Sequence, residues 1–535
     1  MQKDTTTQLL SLWGDIKTLK QSVNNLSVQI NNATKGKMVS VMDYGAVGDG
    51  VTNDSGAIQR ALNSGADIIW FPPATYRMDN QVKINSFTTL LGYGAIIRRG
   101  SNVNNLLINN ADGVTGGYTA NTDIAMYGLK IDGNQPNFPT NCTTVAFGHA
   151  RNIVVRDCEF LNAGGAWHSL ELNAVENALV QNCSFHDTLG AELLQLDYMG
   201  GSALFPWFGP FDNTPCRFVT VTDNIFYNGA SGFGSHSGGA QHTHVIVSNN
   251  IFRDLTQHAI ELENYGDMVI TGNKINNCVF GVTGFGGNGL ANQGRTVISN
   301  NQITNMTGFG RGITLFGPDD LSITGNVIAE CQDGGIDVNN CDRFVIANNI
   351  LKNTNKGATT GSGFAAIYVN ASTLGSVTGN VILKDPTGVT TNTNTISVAG
   401  ASSNIIIDNN TVATPAGAPT TVFTSVVGSK IMFGFNTING TVTPYISAKT
   451  ANYTYTPSDA VINVDTTAGN VTITVNPTIF NKIGLTVRKT SADANTVTIT
   501  PSSGTINGGA SVSLTAQNQV ALVTSDWTNL DAVIK

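Results

Sequence analysis

Charged side chains make up only 12% of this 535-residue chain, yet carboxylates and histidine collect in one short stretch of it. Four segments, Leu170–Asn173, Leu194–Asp197, Phe233–His236 and Ile260–Glu263, share a pattern of alternating residues. Alternation marks a strand with one buried face, so Leu170, Leu172, Leu194, Leu196, Ile260 and Leu262 should point inward and their neighbours outward. If the strands stack in register, one outward column reads Glu171, Gln195, Gly234, Glu261. The next reads Asn173, Asp197, His236, Glu263. Adjacent strands lie about 4.8 Å apart, which would put Asp197 and Glu263 ~9–10 Å apart at the backbone with His236 between them.

Two carboxyls are the requirement for hydrolysing a glycosidic bond, roughly 6.5–9.5 Å apart for inversion and ~5–5.5 Å for retention. Asp197 and Glu263 suit the wider separation; Glu261, Glu171 and Glu192 are further candidates. His236 would orient a carboxylate or relay a proton. The competing account of each carboxylate is a solvated or ladder-paired side chain. Beside these residues lies the longest insertion of the body, residues 198–212, with Phe205, Trp207, Phe208 and Phe211. Aromatic faces stack on sugar rings, so this loop could wall a groove, with Gln195 and Arg311 as polar substrate contacts; alternatively the rings only pack on the body or on another chain. A polysaccharide lyase would need a cation to neutralise a uronate, and basic residues are sparse here, Arg311 excepted. Lyase chemistry would therefore call for a divalent cation such as calcium, whereas hydrolysis calls for no cofactor. A metal-dependent phosphodiesterase acting on teichoic acid would draw on His168, His186, His236, His242, His244 and His258, whose spacings match no compact metal motif. A spike that holds glycan without cutting it is the non-enzymatic alternative.

The strands that carry these residues belong to a repeat. A phrase of an apolar strand, then Asn or Cys, then any residue, then an apolar residue recurs with its pivot at Cys158, Cys183, Asn224, Asn250, Asn273, Asn301, Asn326, Asn349, Asn380, Asn410 and Asn436. The spacing runs from 23 (Asn250 to Asn273) to 31 (Asn349 to Asn380), except for 41 between Cys183 and Asn224, where the insertion lies. A period in this range predicts a solenoid, because one repeat alone cannot bury its apolar face. Two strands per coil are recognisable, which predicts an all-β fold, a right-handed parallel β-helix over 38–444. Asn at each turn tolerates left-handed backbone and can bond to its copies in neighbouring coils. Cys158 and Cys183 occupy the same pivot and read as buried free thiols.

Leu9, Leu12, Ile16, Leu19, Val23, Leu26 and Ile30 alternate steps of three and four, a heptad seam that predicts a short coiled coil within 1–37. Over 445–535 the coil period stops, and short β-rich runs predict a small antiparallel β-sandwich. Net charge is −8 with no basic patch, which argues against a nucleic-acid partner. No apolar run approaches the ~18 residues of a membrane span, and the N-terminus has no signal-peptide core. Seven Cys at irregular positions do not form a disulfide framework.

The segment 39–62, with Asp43-Tyr-Gly-Ala46, Gly48-Asp-Gly50, Asp54 and a capping helix around Ala57–Leu62, resembles the opening of the pectate-lyase-like β-helix superfamily, and Ile69-Trp-Phe-Pro-Pro-Ala-Thr-Tyr76 matches the element that follows it. Asp54 is expected to cap the helix. A short N-terminal coil, this β-helix and a small C-terminal β domain together resemble bacteriophage tailspikes and receptor-binding depolymerases. That resemblance implies a homotrimer in the virion tail, made in the host cytoplasm and acting outside the cell. It would attach to the tail or baseplate through its N-terminus and bind and cleave a bacterial surface polysaccharide. The C-terminal domain would lock the trimer or bind further glycan.

Overall fold

The computed structural model describes residues 37–535 apart from 189, 203–204, 206, 236–239, 286–293, 357–364, 385–394, 414–422, 426–428, 440, 444, 458 and 482. The heptad seam and His236 therefore lie outside the described residues. The chain falls into two compact units, Met1–Asp320 and Leu321–Lys535.

In the first unit the sequence motif 39–62 folds as expected into tight turns and one helix, α1 (Ser55–Leu62). Asp54 stands at the position before α1 but does not cap it. Its carboxylate accepts instead from the backbone N–H groups of Val47 (2.7 Å) and Gly48 (3.1 Å), fastening the preceding glycine turn to the helix start.

The coils that follow form a right-handed parallel β-helix. The face that carries the chemistry is a run of parallel strands: β1 (Asn105–Asn109), β2 (Thr143–Arg156), β3 (Leu170–Gln181), β4 (Glu192–Asp197), β5 (Ser231–Ser235), β6 (Ile251–Glu263), β7 (Lys274–Phe285) and β8 (Ile313–Phe316). Each pairs in parallel with the next. There are three strands per coil, not the two expected. The third is often only three residues long, as at Glu159–Leu161 and Ser184–His186, too short to show a period. Its middle residue nevertheless feeds the core: Phe160, Phe185, Phe226 and Phe252 stack with centroids 4.7–4.9 Å apart. Leu170, Leu172, Leu194, Leu196, Ile260 and Leu262 are inward and fully buried, as alternation requires.

The pivot asparagines form a hydrogen-bonded ladder. Asn250 donates both its backbone N–H (2.9 Å) and its side-chain amide (3.1 Å) to Oδ1 of Asn273. Asn224 does the same to Asn250, and Asn273 to Asn301. The left-handed residue is not the pivot but the one before it: Asp223, Asn249 and Asn300 have φ of 60°, 57° and 55°. The position before the pivot turns the corner, and the pivot ties one corner to the next. Cys158 and Cys183 are buried free thiols at this position, and Cys183 N–H donates to Asn224 Oδ1 at 2.9 Å.

The second unit repeats the same devices, with parallel strands Ile336–Asn339, Ile367–Asn370 and Ile396–Ala399 and a ladder from Asn326 through Asn349, Asn380 and Asn410 to Asn436. Its last ninety or so residues form two sheets of five and four strands around one core that includes Ile462, Ile473, Val487, Ile499 and Val523. The two-sheet core agrees with a β-sandwich, but the expected antiparallel order does not hold throughout. Strands Asp459–Val464 and Leu485–Lys489 pair in parallel, as do Val471–Val475 and Val497–Pro501. The chain alternates between the sheets as it advances, so neighbours in one sheet run the same way. Only the closing strands, such as Val520–Ser525 with Leu530–Ile534, pair antiparallel.

Candidate functional site

The register on the functional face places Glu171 opposite Gln195 and Asn173 opposite Asp197. Gln195 pairs with Gly234, and Gly234 with Glu261, so the first outward column is as expected. These outward residues are not solvated, however. Glu171, Gln195 and Asp197 are 4%, 0% and 3% exposed, because the insertion after β4 folds over this face. Phe205, Phe208 and Met199 pack with Ile108, Ala146 and Ala174, which point outward from β1–β3. Gly148 makes the close approach possible, since a Cβ there would lie 2.6 Å from the Phe208 ring. The insertion is pinned at its far end by His149, whose ring nitrogens bond to the carbonyls of Gly117 (2.8 Å) and Pro210 (2.7 Å), and by Asp212, which accepts from Gly117 N–H at 2.9 Å.

Between the insertion and the strands lies a cavity of about 200 Å³ lined by Thr143, Ala166, Trp167, His168, Glu171, Asp197, Phe205 and Trp207. Trp167 and Trp207 meet at 5.6 Å between ring centroids, tilted by 59°. Glu171 accepts from the Thr143 hydroxyl at 3.1 Å, and Asp197 from Tyr198 N–H at 2.8 Å. On strand spacing, the two carboxylate-bearing positions stand diagonally about 8 Å apart at the backbone. The cavity thus joins two carboxylates, one imidazole and aromatic walls, the ingredients of a sugar site.

Of the residues singled out from sequence, Asp197, Glu171, Phe205 and Trp207 meet in this cavity. Glu192 is 8% exposed and stands behind it, its carboxylate 3.4 Å from His168 Nδ1. Glu261 lies farther along the face beside His258, 3.7 Å from its Nε2. Glu263 ends β6, its backbone N–H held by the Ser235 hydroxyl at 2.9 Å, and is not part of the lining. Gln195 is also outside it and turns its amide to the Leu196 carbonyl at 3.0 Å. Phe208 covers Gly148 instead of facing the cavity, and Phe211 is exposed at the surface. Arg311 precedes β8, four strands beyond β4, about 19 Å away. Among the described residues no three His, Cys, Asp or Glu side chains gather as metal ligands. His186 is engaged by Asp187 and Glu159 on the third face, and His242 accepts from Cys216 N–H on the second.

Sequence reading missed Trp167 and Thr143, and gave His168 only as a possible metal ligand. Trp167-His168 stands one residue before β3 in the coil that precedes the aromatic insertion, and that proximity was the available signal.

Two family descriptions match the chain: "Rhamnogalacturonase A/epimerase, pectate lyase-like" over residues 38–283 and "Right handed beta helix region" over 211–374. The plasmin and fibronectin-binding protein A of Streptococcus pneumoniae is 24% identical over 45% of this chain and 40% of its own length. The pre-neck appendage protein of Bacillus phage phi29 is 26% identical over 43% of this chain and 24% of its own length. The chain thus matches less than half the length of either relative. The crystal structure of pre-mature bacteriophage phi29 gene product 12 superimposes with a TM-score of 0.57 at 15% identity, covering 90% of this chain and 69% of that one. The resemblance to pectate-lyase-like right-handed β-helices, drawn from residues 39–76 and the repeat, stands, and the phage relatives agree with the resemblance to phage receptor-binding proteins drawn from the order of the three regions.

Proposed function

We propose that this chain is a phage virion component that binds a bacterial surface polysaccharide in the cavity beside β3 and β4 and cleaves it by glycoside hydrolysis. The observation that carries the reading is the convergence of Glu171 and Asp197 on one aromatic-walled cavity. One carboxyl would protonate the leaving oxygen, and the other, ionised, would face the positive charge that develops at the anomeric carbon. The tilted Trp167 and Trp207 rings offer apolar faces to a sugar ring. Among the described residues the lining contains neither Lys nor Arg, which favours a neutral sugar over a uronate. In the same reading the chain acts as a homotrimer attached to the virion through its N-terminal residues and works outside the bacterial cell.

A second reading, a glycan-holding appendage without catalysis, draws support from the relatives, one named as an appendage and one as a binding protein. Incubation with capsule, exopolysaccharide and teichoic acid extracted from candidate hosts separates the possibilities. New reducing ends without unsaturated-uronate absorbance support hydrolysis. New absorbance near that band would mean a lyase. Binding with unchanged chain length selects the appendage reading.

A further inference from the structure

The geometry points to His168 as the general base of this cavity, with Glu192 as its positioning residue; the inference rests on the hydrolytic reading above. His168 lines the cavity with Glu171 and Asp197. Its Nδ1 lies 3.1 Å from the main-chain oxygen of Glu192 and 3.4 Å from Glu192 Oε2. A carbonyl oxygen only accepts, so in the neutral ring Nδ1 carries the hydrogen and Nε2 keeps the lone pair. Glu192 itself is outside the lining and nine-tenths buried.

Gly234 explains how Glu192 reaches this place. The outward column Glu171, Gln195, Gly234, Glu261 lacks one side chain, and the stem of Glu192 lies over the gap. A Cβ on Gly234 would collide with Glu192 Cγ. From the other side, His258 feels the charge of Glu192. A carboxylate so held fixes the tautomer of His168 and stabilises the imidazolium that forms when Nε2 takes a proton. Among the described residues, the charged groups beside His168 are Glu192 on β4 and, in the cavity lining, Glu171 on β3 and Asp197 on β4, all acidic.

Water bonds through oxygen to the anomeric carbon and gives a proton to His168 Nε2. The glycosidic C–O bond breaks, and the leaving oxygen takes a proton from whichever of Glu171 and Asp197 is protonated. His168 ends as imidazolium and the donor as carboxylate, and exchange with solvent restores both. The second carboxylate is then left to face the anomeric charge rather than to activate water.

The test has two arms. In the first, the full chain, labelled with ¹⁵N-histidine and free of ligand, is titrated by NMR. The expected result is an Nδ1–H tautomer for His168 and a titration that moves to lower pH in both Glu192→Gln and Gly234→Ala. A titration unmoved by both changes would overturn the positioning role. In the second, cleavage of the extracted polysaccharide that the unmodified chain cuts is followed against pH. His168→Gln should lower kcat by roughly 10²–10⁴ while binding persists. Glu192→Gln should lower kcat with KM little changed and carry the acid limb to lower pH, a shift that loss of packing would not produce. Full cleavage by His168→Gln overturns the base role and leaves the hydrolytic reading standing. No cleavage of any polysaccharide by the unmodified chain overturns that reading and the base role together, while the NMR arm still decides whether Glu192 holds His168.

Discussion

At the cavity Asp197 accepts from Tyr198 N–H and Glu171 from the Thr143 hydroxyl, with aromatic side chains beside them in the lining. Replacement of either by its amide, Asp197→Asn or Glu171→Gln, keeps the shape and removes the acid–base function. Each change is expected to cut the release of reducing ends by about 10²-fold or more while retention on immobilised polysaccharide is kept. Loss of both activities together would indicate that the carboxylates serve only to hold the glycan. A second titrating group nearby affects stability. Burial pushes the His258 imidazole down from 6.5 to about 4, against a smaller upward pull from Glu192. Between those pH values the unfolded chain binds a proton that the folded chain does not, so stability should fall as pH drops from about 6.5 towards 4 and stay flat above. The effect is on the order of 3 kcal/mol, and His258→Gln should flatten this part of a denaturation-midpoint curve against pH. How far this site could be read in advance differs residue by residue. Asp197 and Glu171 stood out because alternation fixes which side chains face outward. Their burial did not, since nothing in residues 198–212 says which way the loop folds back. Gly148, which admits Phe208, looks in sequence like any other strand glycine.

At the scale of the element, the pivot ladder is what repeats most faithfully, and it was legible because the same residue type returns with every coil. The short third strand was not recognised as a strand, because three residues show no alternation; its Phe160, Phe185, Phe226 and Phe252 are the apolar residue two after each pivot, and their stacking shows that they form a row. In the ladder, Oδ1 of Asn273 satisfies two donors of Asn250, and its amide reaches the Val247 carbonyl at 2.9 Å and Asn301 at 2.9 Å. Asn273→Ala therefore strands buried donors on one side and acceptors on the other. A loss of about 3 kcal/mol is expected in chemical denaturation, several times that of an exposed Asn→Ala change. A loss under 0.5 kcal/mol would mean that the ladder is incidental to the coil.

For the whole molecule, stability in a coil-by-coil fold is a sum of neighbour contacts, so damage should stay local unless it strikes an end. The C-terminal two-sheet region has a core of its own, yet its parallel pairing, unforeseen from strand-like runs alone, comes from a chain that alternates between the two sheets. If this region locks an oligomer, a chain ending near Thr443 should lose both its assembly by light scattering and its heat resistance; a truncated chain that stayed trimeric and heat-resistant would exclude the locking role. The ladder has one further consequence. Asn224, Asn250 and Asn273 each donate one amide N–H to the asparagine of the later coil and turn the other back to a carbonyl of the earlier one, so the bonds from asparagine to asparagine all run in one sense, as peptide dipoles do in a helix. The row has a sense, like a one-way street. An aspartate can receive but cannot pass anything on. Asn250→Asp, in mid-row, would set an oxygen against the Val221 carbonyl and Oδ1 of Asn273, where the amide now donates at 2.9 and 3.1 Å, whereas Asn436→Asp would set one against the Ile407 and Gly434 carbonyls at 3.2 and 3.3 Å. The same substitution should therefore cost more within a row, where the contacts are shorter and one of them is the bond to the next asparagine, than at Asn436, and the comparison of the two variants reads out which way the coils are tied.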